Sequence, residues 1–117
     1  MTDLLARLEV AEAGSRELDG AVWCARNGYV FVMWDGAGCV YRKQPGYGIS
    51  HISQSDVAPV TTSLDAALAL AERVLDHMTA LGLLHAVIDM VGGNGWPSSR
   101  IAPLFCAAIL KAKGAEQ

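Results

Sequence analysis

Apolar residues recur at helical spacing from the start of the chain. Leu4, Leu5, Leu8 and Ala11 share one face of a helix predicted over residues 2–13, with Thr2 as its cap. Gly14 stops that helix and Ser15 caps a second one. Arg16, Glu17 and Asp19 fill its first turn, Leu18, Val22 and Ala25 turn inward, and it ends at Asn27-Gly28. The pattern then changes to YVFVMW at residues 29–34, dense in β-branched and aromatic side chains, followed by Asp35-Gly36 and CVYR, which together predict a β-hairpin. Residues 43–62 hold Pro45, Gly46, Gly48, several serines and Pro59. The stretch is too long for an idle turn, and reads as a functional loop over about 43–56 with a short edge strand near 57–61.

Ser63 caps a third helix in which Leu64, Ala67, Leu68, Ala71, Val74, Leu75 and Met78 keep helical spacing until Gly82. LLHAVIDMV, residues 83–91, reads as a strand and Gly92–Gly95 as a turn; residues 96–100 read as a short return strand that Pro97 confines to an edge. A fourth helix opens near Ala102-Pro103, where proline is tolerated, and ends before Gly114. This order predicts one α+β domain spanning residues 1–117, a helix-sheet-helix sandwich built from antiparallel hairpins and about four helices.

Composition narrows the class. A chain of 117 residues with 52% hydrophobic and 18% charged side chains is long enough for one real core and far too apolar for disorder. No run approaches the ~18 apolar residues of a membrane span, and MTDLLARLEV lacks the form of a signal peptide, so a cytoplasmic location without membrane contact is expected. A net charge of -3 argues against a general electrostatic grip on nucleic acid. Cys24, Cys39 and Cys106 stand far apart with no CxxC pair, which predicts reduced, buried thiols.

Three segments carry a family resemblance: SRELD at 15–19, APVTTSLDAALAL at 58–70 and APLFCAAILKAK at 102–113. In that order, with Tyr41 and Arg42 before Ala58–Val60, and with Leu104, Cys106, Ala107 and Ala108 near the end, the chain resembles the small phage and prophage proteins of the "phage ABA sandwich" domain. The resemblance implies a helix-sheet-helix fold and a phage or prophage accessory role. The middle departs from the family. YGISHISQSD stands where members carry a glycine-rich stretch, and ERVLDHMTAL where many have a Pro-Glu-Gly-Trp turn, so the loop surface is this chain's own.

Candidate chemistry is sparse. Cys24, Cys39, Ser50, Ser53, His51, His77 and His85 supply nucleophile and base types, but no G-x-S-x-G elbow or comparable context ties them together. His51 and Asp56 lack the close ligand pairs of a zinc site, and no cofactor is implied. GGNG at 92–95 admits a phosphate-loop reading, yet its spacing matches no phosphate fingerprint and a hairpin turn accounts for it. SRELD places Arg16, Glu17 and Asp19 close together, which the helix dipole and an ordinary cap explain. Arg42, Lys43 and Tyr47 form the one small basic and aromatic cluster, which a solvated strand end with a flexible loop also explains; Trp34 and Trp96 each stand beside a turn, as interface hot spots or equally as rims of the core.

The reading is therefore a non-enzymatic protein that binds a host protein or protein complex, as an inhibitor of a host defence system of the anti-CRISPR type. Trp34, Arg42, Lys43, Tyr47, His51 and Trp96 form its contact surface. Glu72, Asp76 and Asp89 are a second surface, able to meet a basic groove if the fold gathers them. A nucleotide-binding sponge and a virion morphogenesis component are the alternatives, and homodimerisation is compatible with all three.

Overall fold

The computed structural model describes residues 2–11, 13–91 and 99–115. Among them are five helices and one three-stranded antiparallel sheet, an α+β domain with one helix more than the sequence reading. The expected turn at 92–95 and most of the return strand at 96–100 lie outside the described residues.

Helix α1 (Thr2–Val10) ends earlier than the expected residue 13. The chain must leave the helix to lay Gly14 against the 57–61 segment, so closely that a Cβ there would sit 1.8 Å from the Thr61 carbonyl oxygen. Helix α2 (Arg16–Asn27) has the ends its sequence implies. Ser15 Oγ accepts from the Leu18 N–H at 3.1 Å, and Gly28, at φ 73°, sends its N–H back to the Ala25 carbonyl.

Strands β1 (Val30–Trp34) and β2 (Gly38–Arg42) form the expected hairpin. Asp35 Oδ1 accepts from the N–H groups of Ala37 and Gly38, both at 2.9 Å, and fixes the turn. A register shift between Phe31 and Met33 puts Phe31 opposite Tyr41 and Trp34 opposite Cys39, so both aromatics point to the same face. Strand β3 (Ile49–Ser53) falls inside the predicted loop and pairs with β2, whereas residues 57–61 form no strand. Those residues are occupied otherwise: Val57 and Val60 are core, and Thr61 gives its backbone and side-chain polar groups to Asp19 and Ser15.

Helix α3 (Leu64–Val74) starts at Ser63 as predicted but does not run to Gly82. Leu75 is extended, at φ -130° and ψ 163°, and the Asp76 side chain accepts from the Thr79 N–H at 3.2 Å to start α4 (His77–Val91). The segment 83–91 is therefore helix and not strand. Leu83, Leu84, Val87, Ile88 and Val91 stack along one side of α4 into the helical core, a periodicity that an unbroken apolar run conceals. Helix α5 (Ile101–Ala115) carries Pro103 in its first turn and is buried from Ile101 through Ala107.

Two hydrophobic clusters result, with α2 between them. One side of α2 sends Leu18 and Val22 into a core centred on α5, where Phe105, Ile109 and Leu8 are almost wholly inaccessible. Its other side sends Cys24 and Trp23 onto the sheet, against Cys39, Phe31, Trp34, Tyr41 and Ile52, with Val57 closing that cluster. Trp23, Tyr29 and Tyr41 pack as an aromatic trio at centroid distances of 5.0 to 5.6 Å. No helix among the described residues is long and apolar enough to cross a membrane.

Candidate functional site

Alternation along a strand sends successive side chains to opposite faces. With Phe31, Trp34, Cys39, Tyr41 and Ile52 turned to α2, the pairings Val30–Arg42–Ile49 and Met33–Val40–His51 belong to the other face of the sheet. That outer face is apolar and open. Val30, Val32, Met33 and Ile49 are 38 to 60% accessible, unusual for four large hydrophobic residues on one small sheet.

The predicted site residues divide around this face. Arg42 stands at the end of β2 across from Ile49, and its Nη1 donates to the Tyr47 carbonyl, tying the β2–β3 turn to the strand end. Tyr47 is exposed in that turn, Lys43 is exposed beside it, and Gly46 adopts φ 87° to allow the bend. His51 lies further along β3, with Nε2 3.1 Å from Asp35 Oδ2. The N–H of Ala37, with that of Gly38 and with His51, holds the Asp35 carboxyl below its ordinary range. Arg42, Lys43, Tyr47 and His51 thus lie around one apolar surface.

Trp34 does not join them. The register shift turns it inward, against the Gly20 backbone and over the Arg16 guanidinium, 4.9 Å from its carbon to the ring centroid. Trp96 lies outside the described residues. The three acidic candidates do not all gather, because Asp89 stands apart. Glu72 Oε2 is 2.9 Å from His77 Nδ1, and Asp76 starts α4, its carboxyl held low chiefly by the Thr79 hydroxyl. Asp89 lies 13 residues further along the chain, about 20 Å at the rise of a helix.

The sequence reading missed Val30, Val32, Met33 and Ile49. Their exposure depends on the register shift in β1, which has no local signal in the chain, and on β3, whose signal is weak. A pattern in ISHIS was available, since Ile49 and His51 alternate with Ser50 and Ile52, but its polar content masks it.

All three cysteines are buried and unbonded. Cys24 Sγ and Cys39 Sγ are 3.5 Å apart, and Cys106 Sγ is 3.2 Å from the Val60 carbonyl oxygen. Burial raises the Cys24 thiol well above its ordinary value, raises the Cys39 thiol, and pushes Cys106 up to about 12. A thiol held protonated is a poor nucleophile. Iodoacetamide at pH 8 should therefore label none of the three in the native protein and all three in urea, as read by intact mass; rapid native labelling of any one would contradict this burial.

Among the described residues, no group of three or more His, Cys, Asp or Glu side chains is placed to hold a metal ion. Comparison with family models, curated proteins and solved structures returns no match.

Proposed function

We propose that this chain is a phage or prophage accessory protein that acts without catalysis, by docking the outer face of its sheet on a host protein and inhibiting a host defence complex. One observation carries the docking: Val30, Val32, Met33 and Ile49 form a contiguous exposed apolar face bordered by Arg42, Lys43, Tyr47 and His51. The accessory setting is supported by the resemblance of the 15–19, 58–70 and 102–113 segments.

Size sets how the face works. Three strands of five residues span roughly 17 by 14 Å, about 240 Å², whereas a standard interface takes about 800 Å² from each partner. The sheet face is then the dry centre of the contact, and the Tyr47 turn with Arg42 and Lys43 is its polar rim. Those cations favour a partner surface that is acidic at its edge.

The test replaces both Met33 and Ile49 by glutamate. Each is exposed, so the fold should survive with circular dichroism unchanged. Tagged wild-type protein is expected to recover a host protein stoichiometrically from bacterial lysate, and the double variant to lose it. Equal recovery by both, or none by the wild type, overturns the reading. A wild-type dimer in sedimentation that the variant abolishes would assign the face to self-association instead.

A further inference from the structure

Between α2 and α3 lies a cleft of about 260 Å³ that owes nothing to the sheet surface. Both helices line it with residues at the spacing i, i+3, i+4, i+7: Asp19, Val22, Trp23 and Arg26 from α2, and Ala66, Ala69, Leu70 and Arg73 from α3. Ala58 and Val60 complete the wall. The space exists because three of its wall residues, Ala58, Ala66 and Ala69, are too small to fill it. What remains is largely hydrocarbon, with the Trp23 ring as its one aromatic wall.

Charge distinguishes this cleft from a packing gap. The Asp19 carboxylate in its wall is already satisfied, by Arg16 Nη1 at 2.9 Å and by the N–H and hydroxyl of Thr61 at 2.8 and 2.5 Å. Arg26 and Arg73 have no such partner. Among the described residues, neither guanidinium makes an ion pair or side-chain hydrogen bond. An apolar hole edged by two uncompensated guanidinium groups suits a ligand with the opposite arrangement, an apolar body ending in an anion, because guanidinium forks bind carboxylate and phosphate alike.

We propose that the α2–α3 cleft is a binding site for a small amphipathic organic anion, whose carboxylate or phosphate head meets Arg26 and Arg73 and whose hydrocarbon body lies against Trp23, Val22 and Leu70. Volume bounds the body. A cavity of about 150 Å³ holds benzene and drug-sized ligands need roughly 300 Å³ or more, so this cleft takes a substituted ring or a chain of about eight carbons. The site is built on α2, α3 and the wall of Ala58 and Val60, and does not rest on docking by the sheet.

Calorimetric titration with octanoate, octyl phosphate and octan-1-ol keeps the body constant and varies the head. At least one anion is expected to bind 1:1, about tenfold or more tighter than the alcohol, as the loss of charge-assisted contacts implies. Amide shifts in ¹H–¹⁵N spectra should cluster on α2 and α3, and the tighter of the two anions names the head. The Arg26→Gln, Arg73→Gln double variant should lose about tenfold in affinity for the anion and little for the alcohol. Ala69→Leu, with leucine a good helix former, should block both while circular dichroism stays unchanged. Octan-1-ol binding as tightly as either anion, an unaffected double variant, shifts centred elsewhere, or no anion binding at millimolar concentration would each overturn the proposal.

Discussion

Replacing Asp19 by alanine should lower the stability of the domain by about 3 kcal/mol, read as a fall in the urea midpoint with the m-value retained. The carboxylate is wholly inaccessible, and each of its oxygens is held. Oδ1 accepts from the Thr61 N–H at 2.8 Å and lies 2.5 Å from the Thr61 hydroxyl, while Oδ2 accepts from Arg16 Nη1 at 2.9 Å. Arg16 in turn donates through Nη2 to the carbonyls of Gln54 and Val57, at 2.6 and 2.9 Å. A single side chain therefore joins the first turn of α2 to the segment that leads from β3 to α3. Alanine would leave the Thr61 N–H buried without an acceptor and remove the charge that positions Arg16. Severing a fully buried ion pair costs about 3–5 kcal/mol, and the lower end applies because the Arg16 side chain is one-third exposed. Asp19→Asn, which keeps one acceptor oxygen but loses the charge, should fall between. A loss below about 1 kcal/mol for alanine would show that water replaces the carboxylate and that the clamp is not structural.

That network also shows where sequence reading succeeds and where it stops. SRELD reads correctly as a capped first helical turn, because a cap is a local interaction between Ser15 and Leu18. Nothing local distinguishes Asp19 from Glu17, which is exposed and meets Arg7 at 2.8 Å; the difference is Thr61, 42 residues away in sequence from Asp19. The β1–β2 hairpin was legible for the same reason as the cap, since Asp35 and Gly36 make the turn by themselves. β3 was not, because ISHIS becomes a strand only through its pairing with β2. Residues 83–91 read as a strand because a run of apolar side chains has no visible period, and the deciding signal is upstream, in the Asp76 side chain that starts a new helix. The candidate surface followed the same rule. Arg42, Lys43, Tyr47 and His51 share a neighbourhood because they lie along one strand-turn-strand unit, whereas for Trp34 the sequence leaves surface and core rim equally open, and a register shift that its own neighbours do not announce sends it inward.

The second large effect belongs to the other cluster and measures how the two are coupled. Phe105→Ala removes the largest fully buried side chain among the described residues, in the second turn of a helix buried along its first two turns, and should cost about 4 kcal/mol as lost transfer energy plus an unfilled cavity. Phe105→Leu, closer in volume, should cost about 1.5 kcal/mol. For a domain of 117 residues the alanine loss is a large part of the 5–15 kcal/mol such folds possess. The more informative quantity is which structure is lost with it. Phe105 belongs to the helical core and Trp23 and Trp34 to the cluster under the sheet, with α2 supplying side chains to both. If α2 couples them into one cooperative unit, then in a Trp96→Phe background the helical circular dichroism and the fluorescence of Trp23 and Trp34 should shift to the same lower urea midpoint when Phe105 is truncated. A fluorescence midpoint that stays put while the dichroism midpoint falls would mean that the hairpin with its aromatic trio holds together after the helical core has opened. The outer sheet face would then be carried by an element able to keep its shape without the helices beneath α2.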